Sequence, residues 1–376
     1  MKIGILTFWW SNDNYGQLLQ CYALQKYLRD IGYEAFLIKY NYNSDLVKTP
    51  LYFKLLKVFN PFLVIRFLLN RKHVADLNKE ENNNNRNFED FRKKYIISSE
   101  KIYNSYLELK SDPPDADAYI VGSDQVWNYK YLDAPRSPSY KPMFLDFGKE
   151  NVKRIAYAAS WGVKELPEEI KKVISPLLSK FDYIGVREQS GIELCSQCGR
   201  GDAEWVCDPT LLLTAEKYRE LYKNEEIRKP DNKYLLLYLL NNVFTFDKQK
   251  VYDFAKSKGL EVVYITGNNM IDEYKKYFAT IPEWLYLVDN AEYVVTNSFH
   301  CGVFSTIFKK KFGIVPLCDD DAGMNARFES LFELRGCGKR YVMEDDFSVL
   351  EREYESKSIN LSNKFLKELQ QMENNF

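Results

Sequence analysis

The sequence predicts an α/β protein of two Rossmann-like, doubly wound domains with a cleft between them. Three observations carry that expectation. Short apolar runs alternate with segments of helical spacing, and they do so in two successive series. A charged stretch containing Pro230, residues 224–232, separates the two series as a linker. A length of 376 residues is long for one hydrophobic core and comfortable for two.

The first series opens with an apolar run at 2–8, a polar loop at 10–15 and a helix at 16–28. In that helix Leu19, Tyr22, Ala23, Tyr27 and Leu28 recur at helical spacing. Asp13 or Asn14 can cap it, and Gly32 follows its end. Residues 34–40 return as a strand, which completes a βαβ unit and opens a parallel sheet. Residues 41–115 interrupt the pattern as an insert. Within it, 51–69 is apolar but carries Lys54, Lys57 and Arg66, is divided by Pro61, and is followed by Arg71 and Lys72. This stretch reads either as two helices packed on the domain or as a surface lying on an anionic membrane. Residues 82–85 are an asparagine tract expected to be a loop.

Strands then follow at 118–121, 154–159, 183–186 and 204–207, with a helix at 167–180 that carries Pro at its first position. Beyond the linker, strands at 234–240, 261–266, 293–296 and 313–316 alternate with helices at 247–258, 281–290 and 299–309. A last helix near 358–372 can pack back across the first domain. The expected division is therefore 1–223, linker 224–232, 233–357, and a C-terminal segment 358–376.

Composition narrows the function classes. Hydrophobic residues make up 45% and charged residues 28%, and the formal net charge is -1, so nothing marks a nucleic-acid partner. The 28 Tyr and 24 Phe suit a sugar-handling cleft and equally reflect a compositional habit. Residues 1–8 read as structured sequence rather than a secretory leader, and no charge-free apolar run reaches membrane-span length. Seven scattered cysteines fit reduced thiols and a cytoplasmic location. Cys195 and Cys198 form a lone CxxC with only Cys207 near, so no metal site is assigned.

Ligands of open α/β sheets gather at the carboxyl ends of strands, where helix N-termini offer free amides. The segment Asn297-Ser298-Phe299-His300 is the sharpest such junction. Ser298 can cap the following helix, the exposed amides favour an anion, and His300 falls in the first turn. Only one other histidine, His73, is present. A histidine there can act as a general acid or phosphate ligand, or simply pack under the helix start. Arg187, after a strand, can clamp phosphate or carboxylate through parallel hydrogen bonds, or pair with Glu188 or a neighbour. Asn325 and Arg327, just after Asp319–Asp321, can bring an amide and a second cation to the cleft or form a solvated helix start. Asp124 can act as a base or hold a sugar hydroxyl, with Trp127 stacking on a sugar face; the plainer alternative is a capped turn. Asn14-Tyr15-Gly16 lacks the glycines of a dinucleotide loop and suits a turn or a phosphate or sugar contact.

The order and spacing of six motifs resemble the polysaccharide pyruvyl transferase family over most of the chain. They are Asn14-Tyr15-Gly16, Val121-Gly122-Ser123-Asp124-Gln125-Val126-Trp127, Ala158-Ala159-Ser160-Trp161-Gly162, Val186-Arg187-Glu188-Gln189-Ser190-Gly191, Cys207-Asp208-Pro209-Thr210 and Thr296-Asn297-Ser298-Phe299-His300. The resemblance implies a GT-B-like pair of domains. It also implies transfer of the carboxyvinyl carbons of phosphoenolpyruvate onto two hydroxyls of a sugar, giving a cyclic pyruvate ketal. On that pattern Arg187 fits the donor-site arginine and His300 the histidine of an Arg-Leu-His-like motif. Ser298 stands where many members carry arginine, which leaves Arg327, another cation or another donor to answer for the missing charge.

The expected assignments are His300 and Asp124 as catalytic groups, and Arg187, Asn297, Ser298, Phe299, Asn325 and Arg327 on the donor side. Asn14, Tyr15, Gly16, Ser123, Gln125, Trp127 and Ser160 are expected on the acceptor side. The implied partners are phosphoenolpyruvate and a sugar acceptor of the lipid-linked glycan kind, at the cytoplasmic membrane face. No metal-ligand cluster stands out, and a divalent metal is left open. Two other functions fit the same outline: a nucleotide-sugar glycosyltransferase using Glu283 or Asp289 for ribose hydroxyls, and a non-catalytic sugar-binding protein.

Overall fold

The computed structural model describes residues 1–46, 86–240, 246–267, 272–318, 323–343, 346–359 and 363–373. Eleven strands among them form two parallel sheets. The first contains β1 (Lys2–Leu6), β2 (Glu34–Tyr40), β3 (Ser98–Tyr103), β4 (Ala118–Val121), β5 (Lys153–Ala159), β6 (Tyr183–Val186) and β7 (Glu204–Trp205), in the order β3-β2-β1-β4-β5-β6-β7. The second contains β8 (Tyr234–Leu239), β9 (Glu261–Thr266), β10 (Tyr293–Thr296) and β11 (Lys311–Ile314), in the order β11-β10-β8-β9. Strands such as β4, AYIV, and β8, YLLLYL, are buried at every residue because helices cover both faces of a parallel sheet.

In the first half the helices are α1 (Tyr15–Asp30), α2 (Phe88–Tyr95), α3 (Tyr106–Ser111), α4 (Tyr140–Met143), α5 (Glu168–Leu178), α6 (Ser190–Gln197) and α7 (Ala215–Lys223). In the second they are α8 (Lys248–Ser257), α9 (Ile281–Asn290), α10 (Phe299–Ile307), α11 (Ala326–Arg335), α12 (Ser348–Glu351) and α13 (Asn363–Glu373). Asn14 caps α1, its Oδ1 accepting from the Gln17 amide at 3.3 Å.

Strand order reverses between β1 and β4 in one sheet and between β8 and β10 in the other. Each reversal leaves a crevice at the carboxyl ends of the strands, because the flanking connections run to opposite faces. The two crevices face each other. This pairing of Rossmann-like sheets is the GT-B-like arrangement.

The sheets are joined by a shared core. Leu18, Tyr22, Tyr218 and Leu221 from the first half pack in one cluster with Trp284, Val288 and Phe304 from the second. At its centre the Tyr15 ring lies flat on Trp284, 5.2 Å between centroids and 8° between planes, and its hydroxyl donates to the Ala279 carbonyl at 2.8 Å. In α13, Phe365 packs back on the first sheet, 4.5 Å from the Tyr157 ring.

Several expectations need correction, among them the strands expected at 2–8 and 204–207, which end at Leu6 and Trp205. Residues 88–111 are not part of an insert, because β3 extends the first sheet at its edge. Its sequence, SSEKIY, buries only Tyr103, so it has no apolar run to betray it. Pro167 sits at the cap of α5 rather than in its first turn. Strand β11 starts at Lys311, ahead of the expected 313. The expectations for 51–72, 82–85, His73 and 319–321 fall outside the described residues. No helix among the described residues is long and apolar enough to cross a membrane.

Candidate active site

The carboxyl ends of β1, β4, β8 and β10 open on one cleft of about 320 Å³. From the first half it is lined by Phe8, Trp10, Asn14, Gln17, Asp124 and Gln125, and from the second by Asn297, Ser298, Phe299, His300 and Arg327. A larger hollow, about 840 Å³, lies at the amino ends of β1, β2 and β3, beside Lys2, Glu34 and Ser98, where the sheet offers no helix N-termini.

The start of α10 is built by short local bonds. Ser298 Oγ accepts from the Cys301 amide at 3.4 Å, and the Ser298 amide donates to Thr296 Oγ1 at 3.0 Å. Asn297 Oδ1 accepts from the Leu240 amide at 2.8 Å, tying the ends of β8 and β10 together. His300 follows in the first turn and lies directly on Gly16. A Cβ at Gly16 would fall 2.4 Å from His300 Cβ, Cγ and Nδ1. Its Nε2 faces Asp208 Oδ2 at 3.4 Å, within ion-pair range but without hydrogen-bond geometry.

Asp208 is the hub of the site, although sequence reasoning gave it no role. Its Oδ2 accepts from Ser123 Oγ at 2.8 Å and from Arg187 Nη1 at 3.1 Å. Its Oδ1 accepts from the Thr210 amide at 3.0 Å and Thr210 Oγ1 at 2.6 Å. Burial alone would raise this carboxyl. The His300 and Arg187 charges and the Thr210 hydrogen bond outweigh burial and hold it well below the usual carboxylate range. A signal was present in the sequence: Asp208 follows a strand and precedes Pro-Thr, as a capping residue does.

Arg187 is buried in this network. Its Nη1 serves Ser123 and Asp208, while Nε and Nη2 have no hydrogen-bond partner among the described residues. Its guanidinium stands 4.5 Å from the centroid of Phe299, and that of Arg327 stands 5.6 Å from the same ring. Arg327 Nε donates to the Met324 carbonyl at 3.1 Å, and no carboxylate among the described residues pairs with it. Burial first, and then repulsion from Arg187, pushes the Arg327 pKa down to about 10. Two cations therefore flank one aromatic ring, and an entering anion would lower their electrostatic cost.

Asp124 lines the cleft with φ +78°, a region that non-glycine residues enter at some cost. Its Oδ1 accepts from the Gln125 amide at 2.9 Å and its carbonyl from the Ser160 amide at 3.0 Å. Gln125 is fixed in turn by Asn128 Nδ2, at 2.9 Å.

Seven expected contacts do not line the cleft, and Arg187 is one of them: it lies behind Phe299 in the buried network. Trp127 is fully buried, stacked on Phe144 at 5.2 Å, with its Nε1 donating to the Met143 carbonyl at 2.9 Å. Tyr15 belongs to the seam between the sheets. Ser123 donates to Asp208, and Ser160 Oγ donates to Glu188 Oε1 at 3.0 Å. Gly16 gives room to His300 rather than to a ligand. Both side-chain amide atoms of Asn325 pair with the Leu317 backbone, at 3.0 and 2.8 Å. For Trp127, Tyr15, Ser123, Ser160 and Asn325, scaffold bonds consume the polar atoms expected to meet substrate. Glu283 is paired with Arg228 and closes the capping box of α9, and Asp289 is held by Arg219 and Tyr222; neither lines the cleft. Cys195 and Cys198 are both buried and unpaired with each other, and burial pushes the Cys195 thiol up to about 12.

The polysaccharide pyruvyl transferase family matches residues 14–317. The chain belongs to that family. The six motifs that carried the resemblance all fall within the matched span. The curated proteins give no match to this chain. Among solved structures it is similar to UDP-GlcNAc 2-epimerase from Neisseria meningitidis, bound to UDP-GlcNAc, at 11% identity and TM-score 0.42, covering 100% of this chain and 93% of that one. The Methanocaldococcus jannaschii epimerase, in complex with UDP-GlcNAc and UDP, is 13% identical at TM-score 0.48, covering 99% and 100%. A wall teichoic acid polymerase is 13% identical at TM-score 0.43, covering 83% and 69%.

Proposed function

We propose that this pyruvyl transferase takes phosphoenolpyruvate as donor and closes a cyclic pyruvate ketal on two hydroxyls of a sugar. The sugar belongs to a surface polysaccharide or its lipid-linked precursor. The observation that carries this reading is the pair of guanidiniums, Arg187 and Arg327, about Phe299 beside the start of α10. Ser298 caps that helix and brings no charge, and Arg327 answers for the cation the motif lacks.

The chemistry follows from the donor. A proton from His300 adds to the methylene carbon and leaves cationic character on the carbon bearing phosphate. An acceptor hydroxyl attacks that carbon and gives its proton to Asp124. The carbon–oxygen bond to phosphate breaks, phosphate departs towards the cations and helix amides, and a second hydroxyl closes the ketal, its proton returning to His300. Asp208 orients His300 and balances Arg187 throughout.

With phosphoenolpyruvate and the acceptor glycan, His300→Ala is expected to cut phosphate release by about 10²–10⁴-fold. Full turnover in that variant would remove His300 from the mechanism. In a thermal-shift screen phosphoenolpyruvate is expected to raise the Tm of wild type and much less that of Arg327→Met. Stabilisation by uridine or guanosine diphosphate, with none by phosphoenolpyruvate, would instead make the chain a nucleotide-sugar enzyme.

A further inference from the structure

The cleft has a second wall with no role in donor chemistry. Three rings from the loops after β1 and β2 form it. Tyr42 stacks on Phe8, 5.4 Å between centroids and 24° between planes, and Trp10 leans on both at 5.1 and 4.7 Å. Phe8 is the buried backing, while Trp10 and Tyr42 are only half-buried and line the cavity. The adjacent Trp9 is committed elsewhere, its Nε1 donating to the Tyr40 carbonyl at 3.1 Å. The Trp10 indole N–H and the Tyr42 hydroxyl have no hydrogen-bond partner among the described residues.

Polar groups surround this panel. Asn14 spends its Oδ1 on capping α1, and Gln17 its Oε1 on the Ser11 amide at 2.8 Å, so both keep amide N–H donors for the cavity. Asp124 supplies a carboxylate acceptor to the same cavity. An aromatic face bordered by donors and one carboxylate matches a pyranose ring, which has an apolar C–H face and a rim of hydroxyls.

We propose that Trp10 and Tyr42 are the platform for the acceptor sugar: a pyranose stacks on them, Asn14 and Gln17 hold its rim, and two of its hydroxyls turn towards Asp124. The assignment rests on the pyruvyl-transfer reading for its purpose, and it moves the sugar contact from the buried Trp127 to Trp10. Burial first, and then Tyr131 and Asp124, raises the Tyr42 hydroxyl above its ordinary value, so it stays protonated and able to donate.

Saturation-transfer NMR on the full chain tests it, with methyl β-glucopyranoside, methyl β-galactopyranoside and methyl β-mannopyranoside as probes. At least one is expected to receive saturation. Trp10→Ala and Tyr42→Ala should each weaken its binding by about tenfold or more. Trp10→Phe, which keeps a ring against Tyr42, should retain part of it, and His300→Ala should retain most. Undiminished transfer in Trp10→Ala overturns the platform, as does absence of transfer to every glycoside or its displacement by uridine. Phosphate release separates the two proposals. Trp10-dependent sugar binding with no release from phosphoenolpyruvate sinks the donor reading alone, whereas release with an unchanged acceptor KM in Trp10→Ala sinks the platform alone.

Discussion

Gly16→Ala is expected to destabilise the protein and to lower turnover by about 10²-fold, against the usual helical preference. Alanine is the better helix former by about 1 kcal/mol, and Gly16 is the second residue of α1. Local preference alone would make the substitution stabilising. The new Cβ, however, would stand 2.4 Å from three atoms of His300, and either the ring or the crossing of α1 and α10 must yield. Overpacking of this kind costs about 1–3 kcal/mol, which exceeds the helix gain, and a displacement near 1 Å at a reacting group costs about 10²-fold in rate. The check is a double-mutant cycle. In a His300→Gly background the obstacle is gone, so Gly16→Ala should become neutral or stabilising in urea melts. Equal destabilisation in both backgrounds would show that Gly16 matters for some reason other than His300.

Asp208→Asn is expected to cost roughly 3–5 kcal/mol of stability, the cost of removing one partner of a buried ion pair, and most of the activity. Asparagine can still accept from Thr210, but Arg187 would keep a buried charge with no counter-ion, and Nε2 of His300 would face a neutral amide. The pH dependence has a definite sign. A carboxyl whose folded pKa is depressed contributes stability above its unfolded value, about 3.9, and loses it as pH falls through and below that value. Wild type should therefore lose stability on acidification below about pH 4 more steeply than Asp208→Asn. Identical acid limbs in the two proteins would show that Asp208 is not held ionised by its neighbours.

Much of the fold was legible because buried parallel strands are continuous apolar runs. The strands β2, β4, β6, β9 and β10 fall where the sequence predicts them, residue for residue. The strand β3 was hidden because an edge strand buries one residue in six. In the site, the start of α10 was visible as polar residues following an apolar strand. Asp208 was visible as a motif and capping residue but not as the hub, because that role arises where the ends of β6 and β7 meet a helix of the other sheet, a juxtaposition that sequence spacing does not contain. Trp127 and Trp10 show a different limit. Both are indoles in loops after strands, and only packing decides that one turns into the core while the other borders the cavity.

The flat contact between Tyr15 and Trp284 has a consequence for how substrates arrive. Enzymes of two halves often work as jaws, swinging shut about a few hinge residues to exclude water. Here the hydrophobic core runs uninterrupted from one sheet into the other, with that aromatic pair at its middle. Swinging the halves apart would bring apolar surface into water at about 25 cal/mol per Å². Opening the cleft by such a swing therefore carries a cost that a pair of halves without a shared core would not meet. Residues on both sides of 224–232 share one core, so either half cut away from the other would expose part of it to water.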